Sequence, residues 1–217
     1  MRYNAVIFDL DGTLLDTLQD IATTLNTVLA RHAYPIHTLD ECRMLVGRGM
    51  KELVRTAIPQ NAQSPKNIEM LLGELMEHYA DNWNVHTRAY PGISTLLDAI
   101  QERGIKSAIL SNKADRFTRL CAEFQLSGWK FNVVMGQQSP IPPKPDPEGA
   151  LLVARKLDLN PSEILYVGDS GIDMETATRA GMFPLGVLWG FRPESELLEF
   201  GAKAVVRRPE EIIDMLG

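Results

Sequence analysis

The chain has 217 residues, 45% of them hydrophobic, and a formal net charge of −6. That is enough apolar material for a sizeable core and an inserted module without staples. The acidic balance argues against a nucleic-acid backbone as partner, because such binders present a basic face. No run approaches the roughly 20 apolar residues that a membrane span needs. Cys42 and Cys121 stand alone, without a Cys-x-x-Cys pair or a histidine cluster. They read as buried, reduced thiols, with a disulfide between them as the alternative. Residues 1–8 lead straight into an apolar strand and lack the flanks of a signal peptide. A soluble, cytoplasmic protein is expected, a monomer or homodimer with no membrane and no nucleic-acid partner.

Short β-rich apolar runs occur at residues 5–8, 106–110, 132–135, 164–167, 185–188 and 204–206. Several are apolar on consecutive positions, the pattern of strands covered on both faces. Amphipathic helical patterns fall between them at 93–103, 116–124, 148–157 and 173–180. Gly104 and Gly181 follow two of these helices where a left-handed stop is wanted. Such alternation predicts an α/β fold with an open parallel sheet. Residues 17–83 break the rhythm. Leu18, Ile21, Ala22, Leu25, Val28 and Leu29 mark one helical face. Thr38-Leu39-Asp40-Glu41 is a capping-box pattern, and Gly47-Arg48-Gly49 interrupts the helix it opens. Ser64-Pro65 starts another, with its apolar stripe on Ile68, Leu71, Leu72, Leu75, Met76 and Tyr79. The expectation is an all-helical module at 16–87 inserted into an α/β core of 1–15 and 88–217.

In open parallel sheets, ligands bind beyond the carboxyl ends of the strands. The residues just past the predicted strands form a coherent set: Asp9 and Asp11, Ser111-Asn112, Lys144, then Asp169 and Asp173. Asp9 is ionised at neutral pH and can attack phosphorus without an activating base. Asp11, two residues on, can protonate a leaving oxygen and later take a proton from water. Asp-Gly-Thr is also an ordinary turn after a strand. A hydroxyl and backbone N–H groups at Ser111-Asn112 suit a phosphate oxygen, though Ser and Asn are equally common turn residues. Lys144 lies in a proline-rich loop, 140–147, stiff enough to hold a cation for phosphate charge and for Asp9. A solvated surface lysine is the plainer alternative. Mg²⁺ takes one or two carboxylates plus phosphate oxygens, which suits Asp169 beside Asp9, with Asp173 as direct or water-mediated support or as a helix cap.

These motifs, Asp9-Leu10-Asp11-Gly12-Thr13, Ser111, Lys144 and Gly168-Asp169-Ser170-Gly171-Ile172-Asp173, resemble in kind and order the haloacid dehalogenase superfamily of phosphohydrolases. The resemblance spans the whole chain. It implies a Rossmann-like three-layer core with a parallel sheet and an inserted helical cap. It also implies Asp9 as nucleophile, Asp11 as acid/base, Ser111 as phosphate ligand and Lys144 as partner of both phosphate and Asp9. Mg²⁺ would be held by Asp9, Asp169 and the backbone carbonyl of Asp11. Ser111-Asn112-Lys113 and Val46-Gly47-Arg48-Gly49 look most like phosphoglycolate phosphatase and its relatives. The expected activity is hydrolysis of a small phosphate monoester through a phospho-aspartate. A phosphomutase of the β-phosphoglucomutase type, a pyrophosphatase and a non-catalytic scaffold are the alternatives. Dehalogenases and phosphonate-cleaving members lack an acid equivalent to Asp11. Arg48 and Lys51 in the helical module are the candidates for substrate selection. The four histidines and Trp83, Trp129 and Trp189 read as packing or surface residues, and Glu194, Glu196 and Glu199 as a solvated helix face.

Overall fold

The computed structural model describes residues 3–216. It divides into two units, one comprising the chain up to Asp16 and from Ala89 onward, the other Thr17–Arg88.

The first unit is built on six parallel strands. They are β1 (Ala5–Phe8), β4 (Lys106–Ala114), β5 (Val133–Gln137), β6 (Ile164–Gly168), β7 (Phe183–Val187) and β8 (Ala204–Val206), in the spatial order β5-β4-β1-β6-β7-β8. Two-residue strands β2 (Leu15–Asp16) and β3 (Arg88–Ala89) flank the points where the chain leaves and returns. β1 is central because all four of its side chains are apolar and buried, so it tolerates neighbours on both edges and layers on both faces. Its register is Ala5 opposite Lys106 on one side and Ile164 on the other.

Among the described residues six α-helices complete the unit: α5 (Ile93–Glu102), α6 (Asp115–Gln125), α7 (Glu148–Leu157), α8 (Gly171–Ala180), α9 (Glu194–Glu199) and α10 (Glu210–Leu216). Ala5, Ile7, Leu110, Met135 and Tyr166 share one buried cluster with Ala150, Val153, Leu157 and Ala177 of α7 and α8. The path runs outward from β1 through β4 to β5, then returns to the other side of β1 for β6. The ends of β1, β4 and β6 therefore border the point where strand order reverses, the place where open parallel sheets bind ligands.

Strand and helix positions follow the hydrophobic pattern, with one informative difference. β4 was expected to end at Leu110 but runs through Ala114. Leu110 pairs with Met135 and Ala114 with Gln137, so β4 spends four residues where β5 spends two. Residues 111–113 form an irregularity in the ladder, a feature that redirects side chains near strand ends.

The second unit consists of helices α1 (Leu18–Arg31), α2 (Leu39–Leu45), α3 (Met50–Ala57) and α4 (Pro65–Asn82). α1 and α3 pack on α4, and the stripes expected on α1 and α4 are covered, with Leu25, Leu29, Leu71, Leu75 and Tyr79 fully buried. Leu72 and Met76 at the edge of the stripe are only half-buried. Thr38 accepts from the Glu41 N–H while Glu41 accepts from the Thr38 N–H, the reciprocal pair that opens α2. Asp20, buried in the first turn of α1, accepts from the backbone of His86 and Thr87 and from the Thr87 hydroxyl at 2.8–3.0 Å. It thereby fastens the first and last turns of this unit together. Cys42 and Cys121 are both buried and form no disulfide, so the disulfide alternative falls. Among the described residues no helix is long and apolar enough to cross a membrane.

Candidate active site

Asp9 follows β1 and stays in the sheet, its N–H donating to Val167 O at 2.9 Å. Its carboxylate is buried, with Oδ1 lying 2.9 Å from Lys144 Nζ. That contact is out of line for a hydrogen bond, and Oδ1 has no other donor. A buried, negatively charged oxygen without a hydrogen bond is costly unless a cation faces it.

Lys144 reaches the site because its backbone is clamped. The Asn112 amide donates to Lys144 O at 3.0 Å, and Lys144 N–H donates back to Asn112 Oδ1 at 2.8 Å. Asn112, expected among the phosphate ligands, commits its side chain to positioning the lysine. The ammonium then donates to Asp173 Oδ1 at 2.7 Å and Leu110 O at 3.1 Å. Burial pushes its pKa down, but Asp173 and Asp9 push harder in the other direction, and the net result is well above the ordinary lysine value. Lys144 is a fixed cation throughout the physiological range, and only 6% exposed.

Asp173, in the first turn of α8, spends Oδ1 on Lys144 and Oδ2 on Ser170, whose hydroxyl donates at 2.6 Å and whose N–H donates at 3.2 Å. It is both helix cap and anchor for the lysine. Asp169, one residue past β6, accepts from Thr13 Oγ1 at 3.3 Å and from Phe191 N–H at 2.7 Å. Oxygens of Asp9, Asp169 and Asp173 all lie within 4.8 Å of one another. Burial first, then mutual repulsion, raises both Asp169 and Asp9 above the usual carboxylate range, Asp9 to about 7 even with Lys144 pulling it down. Three crowded acids of this kind could hold a hard cation.

Asp11 is turned elsewhere, so its carboxylate does not join those three. It is paired with Lys113, whose Nζ lies 2.9 Å from Oδ1 and 3.2 Å from Oδ2. The Lys113 side chain is 1% exposed, unusual for lysine. Sequence reasoning missed this partner. The signal was Ser-Asn-Lys at a strand end, where only the first two residues were assigned. Ser111 is buried in the same bulge, and its hydroxyl accepts from Lys113 N–H at 3.2 Å. Gly12, at φ +84°, lets the turn after Asp9 fold tightly; a β-carbon there would overlap the Asp169 carboxylate.

Two further residues are not the bystanders expected of them. Trp189 donates its indole N–H to Thr13 O at 2.9 Å. Glu196 accepts from Gly171 N–H at 3.0 Å, at the start of α8, and so is not a merely solvated acid. In the second unit, Lys51 is paired with Glu69 at the surface. Arg48 is exposed in the turn between α2 and α3, and adds to the stronger pull of Arg55 in holding the Glu52 carboxyl down. His32 pairs with Glu74, His37 with Ala57 O and His78 with the Thr24 hydroxyl, so these three serve packing.

The model of the haloacid dehalogenase-like hydrolases matches residues 6–187. N-acetylmuramic acid 6-phosphate phosphatase of Pseudomonas aeruginosa is 33% identical over 217 residues, covering 100% of this chain and 96% of the relative. Phosphoglycolate phosphatase 1 of the same organism is 28% identical over 212 residues, covering 96% of this chain and 78% of the relative. A crystal structure of a candidate phosphoglycolate phosphatase from Lactobacillus delbrueckii subsp. bulgaricus superposes with a TM-score of 0.93 at 28% identity, covering 100% of this chain and 99% of that one.

Proposed function

The chain belongs to the haloacid dehalogenase-like hydrolases and is a phosphatase of that family, and on that premise we propose that it hydrolyses a small carboxylated phosphate monoester through a phospho-aspartate on Asp9, with Mg²⁺ as cofactor. The convergence of Asp9, Asp169 and Asp173, with Lys144 paired to Asp9 and Asp173, is the observation that carries this reading.

Four carboxylates, Asp9, Asp11, Asp169 and Asp173, face two ammonium groups, Lys113 and Lys144. With all four acids ionised, as a bound cation would keep them, the excess of two negative charges would repel a phosphate dianion and suits one divalent ion. Oδ1 of Asp9, which has no hydrogen-bond donor beside its ion pair with Lys144, and the raised Asp169 support the same fit. Asp9 and Asp169 would hold Mg²⁺, with the backbone carbonyl of Asp11 as the third protein ligand and Asp173 in support. When bound, the ion supplies charge neutralisation for the phosphoryl oxygens and keeps the carboxylates ionised.

The remaining chemistry belongs to the chain. Asp9 attacks phosphorus and forms an acyl phosphate. Lys144, held by Asn112 and Asp173, neutralises charge that builds on the phosphoryl oxygens. Ser111 lies in the bulge beside it, placed to donate a hydroxyl to one of them. Asp11 protonates the departing oxygen, then accepts a proton from the water that cleaves the acyl phosphate. Lys113 orients Asp11 between those two tasks.

The relatives' named substrates, N-acetylmuramic acid 6-phosphate and phosphoglycolate, each join an acid to a phosphate. That shared chemistry is the basis for expecting a carboxylated ester here. An arginine recognises a carboxylate in a forked geometry, and Arg48 is the selector we favour because Lys51 is engaged by Glu69. The helices of residues 17–88 would serve as the cap that excludes bulk water during the first step.

The test is a panel of phosphate monoesters with Mg²⁺: phosphoglycolate, N-acetylmuramic acid 6-phosphate, hexose phosphates and pyrophosphate. Carboxylated esters should give the highest kcat/KM, and Asp9→Asn should abolish release of phosphate. Full turnover by Asp9→Asn, or hexose-phosphate isomerisation without phosphate release, would overturn the reading.

A further inference from the structure

We propose that Trp189-Gly190-Phe191, in the loop between β7 and α9, is a positioning strap that pre-forms the cation seat at Asp169. The inference rests on the Mg²⁺-dependent reading above and deepens it. These residues belong to none of the four motifs, and nothing in the chemistry of the reaction calls for them.

The strap meets Asp169 or the turn after Asp9 at three successive residues. Phe191 N–H donates to Asp169 Oδ2 at 2.7 Å. Trp189 donates its indole N–H to the carbonyl of Thr13 at 2.9 Å, and the hydroxyl of Thr13 in turn donates to Asp169 Oδ1 at 3.3 Å. Both oxygens of Asp169 are thus oriented, one directly by the strap and one through a residue that the strap holds. Between these contacts Gly190 lies so close that a β-carbon would collide with Asp169 Cβ and with the Gly12 carbonyl oxygen. The strap therefore presses on the acid and on the turn after Asp9 at once. It binds together two segments about 156 residues apart in the chain.

An arrangement of this kind matters because an isolated carboxylate rotates freely. A ligand that must be ordered when the ion arrives binds it less tightly than one already ordered. Hydrogen-bond partners that orient metal ligands commonly carry a ten- to hundred-fold share of metal affinity. Trp189 and Phe191 act through Asp169 and are positioning residues. They have no contact with the reacting phosphoryl group to make.

Titrate Mg²⁺ into the intact, metal-stripped protein by isothermal calorimetry, and measure the Mg²⁺ dependence of turnover in parallel. Gly190→Ala should weaken Mg²⁺ binding by about ten- to a hundred-fold. Trp189→Phe, which keeps the ring and removes the indole N–H, should weaken it by about three- to ten-fold, the share of a single hydrogen bond. In both variants kcat at saturating Mg²⁺ should return to within about two-fold of the wild type, a split between affinity and turnover that general destabilisation does not produce. Circular dichroism identifies a Gly190→Ala protein that has not folded, and Trp189→Phe then decides. Wild-type affinity for Mg²⁺ in Trp189→Phe, or a loss of kcat that Mg²⁺ does not restore, overturns the strap. A wild-type protein that binds no Mg²⁺ overturns the metal-dependent reading itself.

Discussion

Replacing Lys144 by methionine removes one charge and keeps most of the side-chain volume. The ammonium lies 2.7 Å from Asp173 Oδ1 and 2.9 Å from Asp9 Oδ1. At an effective dielectric near 20 each contact carries roughly 6 kcal/mol of gross attraction. Against that stands the cost of burying the ammonium, which the variant no longer bears. Asp9, already raised to about 7, also relieves itself by taking a proton. The net loss should fall at about 3–5 kcal/mol, the usual range for breaking one side of a buried pair. For a chain of this length that corresponds to a fall in Tm of about 6–20 °C. Differential scanning calorimetry in EDTA at pH 7.5 measures it, with the exposed Lys130→Met as a control that should stay within about 0.5 kcal/mol. Turnover should fall by about 10²–10³, the range for losing one preorganised donor. A Tm within about 2 °C of the wild type would show that the lysine does not hold the two acids, and the electrostatic account of the site would fail.

Three other outcomes are expected. With metal removed, a folded-state Asp9 pKa of about 7 against an unfolded value near 3.8 means that the native state holds the extra proton. Its contribution to stability is full below about pH 4 and is lost as pH rises through 7, up to about 4 kcal/mol. Asp169 acts in the same direction, while Lys144 stays charged throughout. Urea unfolding in EDTA from pH 5 to 8 should show this fall, and Asp9→Asn should make it shallower, leaving the share of Asp169. Asp20→Ala leaves the donors of His86 and Thr87 without their acceptor and should destabilise the helical unit by about 2–3 kcal/mol. Hydrogen exchange should then quicken at residues 17–20 and 86–88 and not in the β1, β4 and β6 amides. Arg48→Ala should raise KM for phosphoglycolate about ten-fold and leave that for a neutral aryl phosphate unchanged; equal shifts for both would remove arginine from substrate selection.

Much of the architecture was legible because burial leaves a periodic trace. The run Ala5-Val6-Ile7-Phe8 is apolar on both faces, and the structure puts it at the centre of a sheet covered on both sides. The stripe on α4 buries Ile68, Leu71, Leu75 and Tyr79. Capping at Thr38 and Ser64 was readable for the same local reason, since a cap satisfies donors only three residues away. Asp9, Asp169 and Lys144 could be expected to converge because strand ends in a parallel sheet point to one rim, and the structure joins them.

What lay outside the sequence were pairings between groups distant in the chain. Nothing local distinguishes Lys113 from a solvated lysine; it is committed to Asp11, 102 residues away, by a bulge in β4 that no periodicity reveals. Nothing local marks Asn112 as the clamp on Lys144, Glu196 as the acceptor at the start of α8, or Trp189 as a donor to the turn after Asp9. Residue type and spacing encode the elements, since a helix or strand is decided by neighbours within a few positions. Which ammonium neutralises which acid depends on where loops from different strands meet, and only the packed sheet decides that.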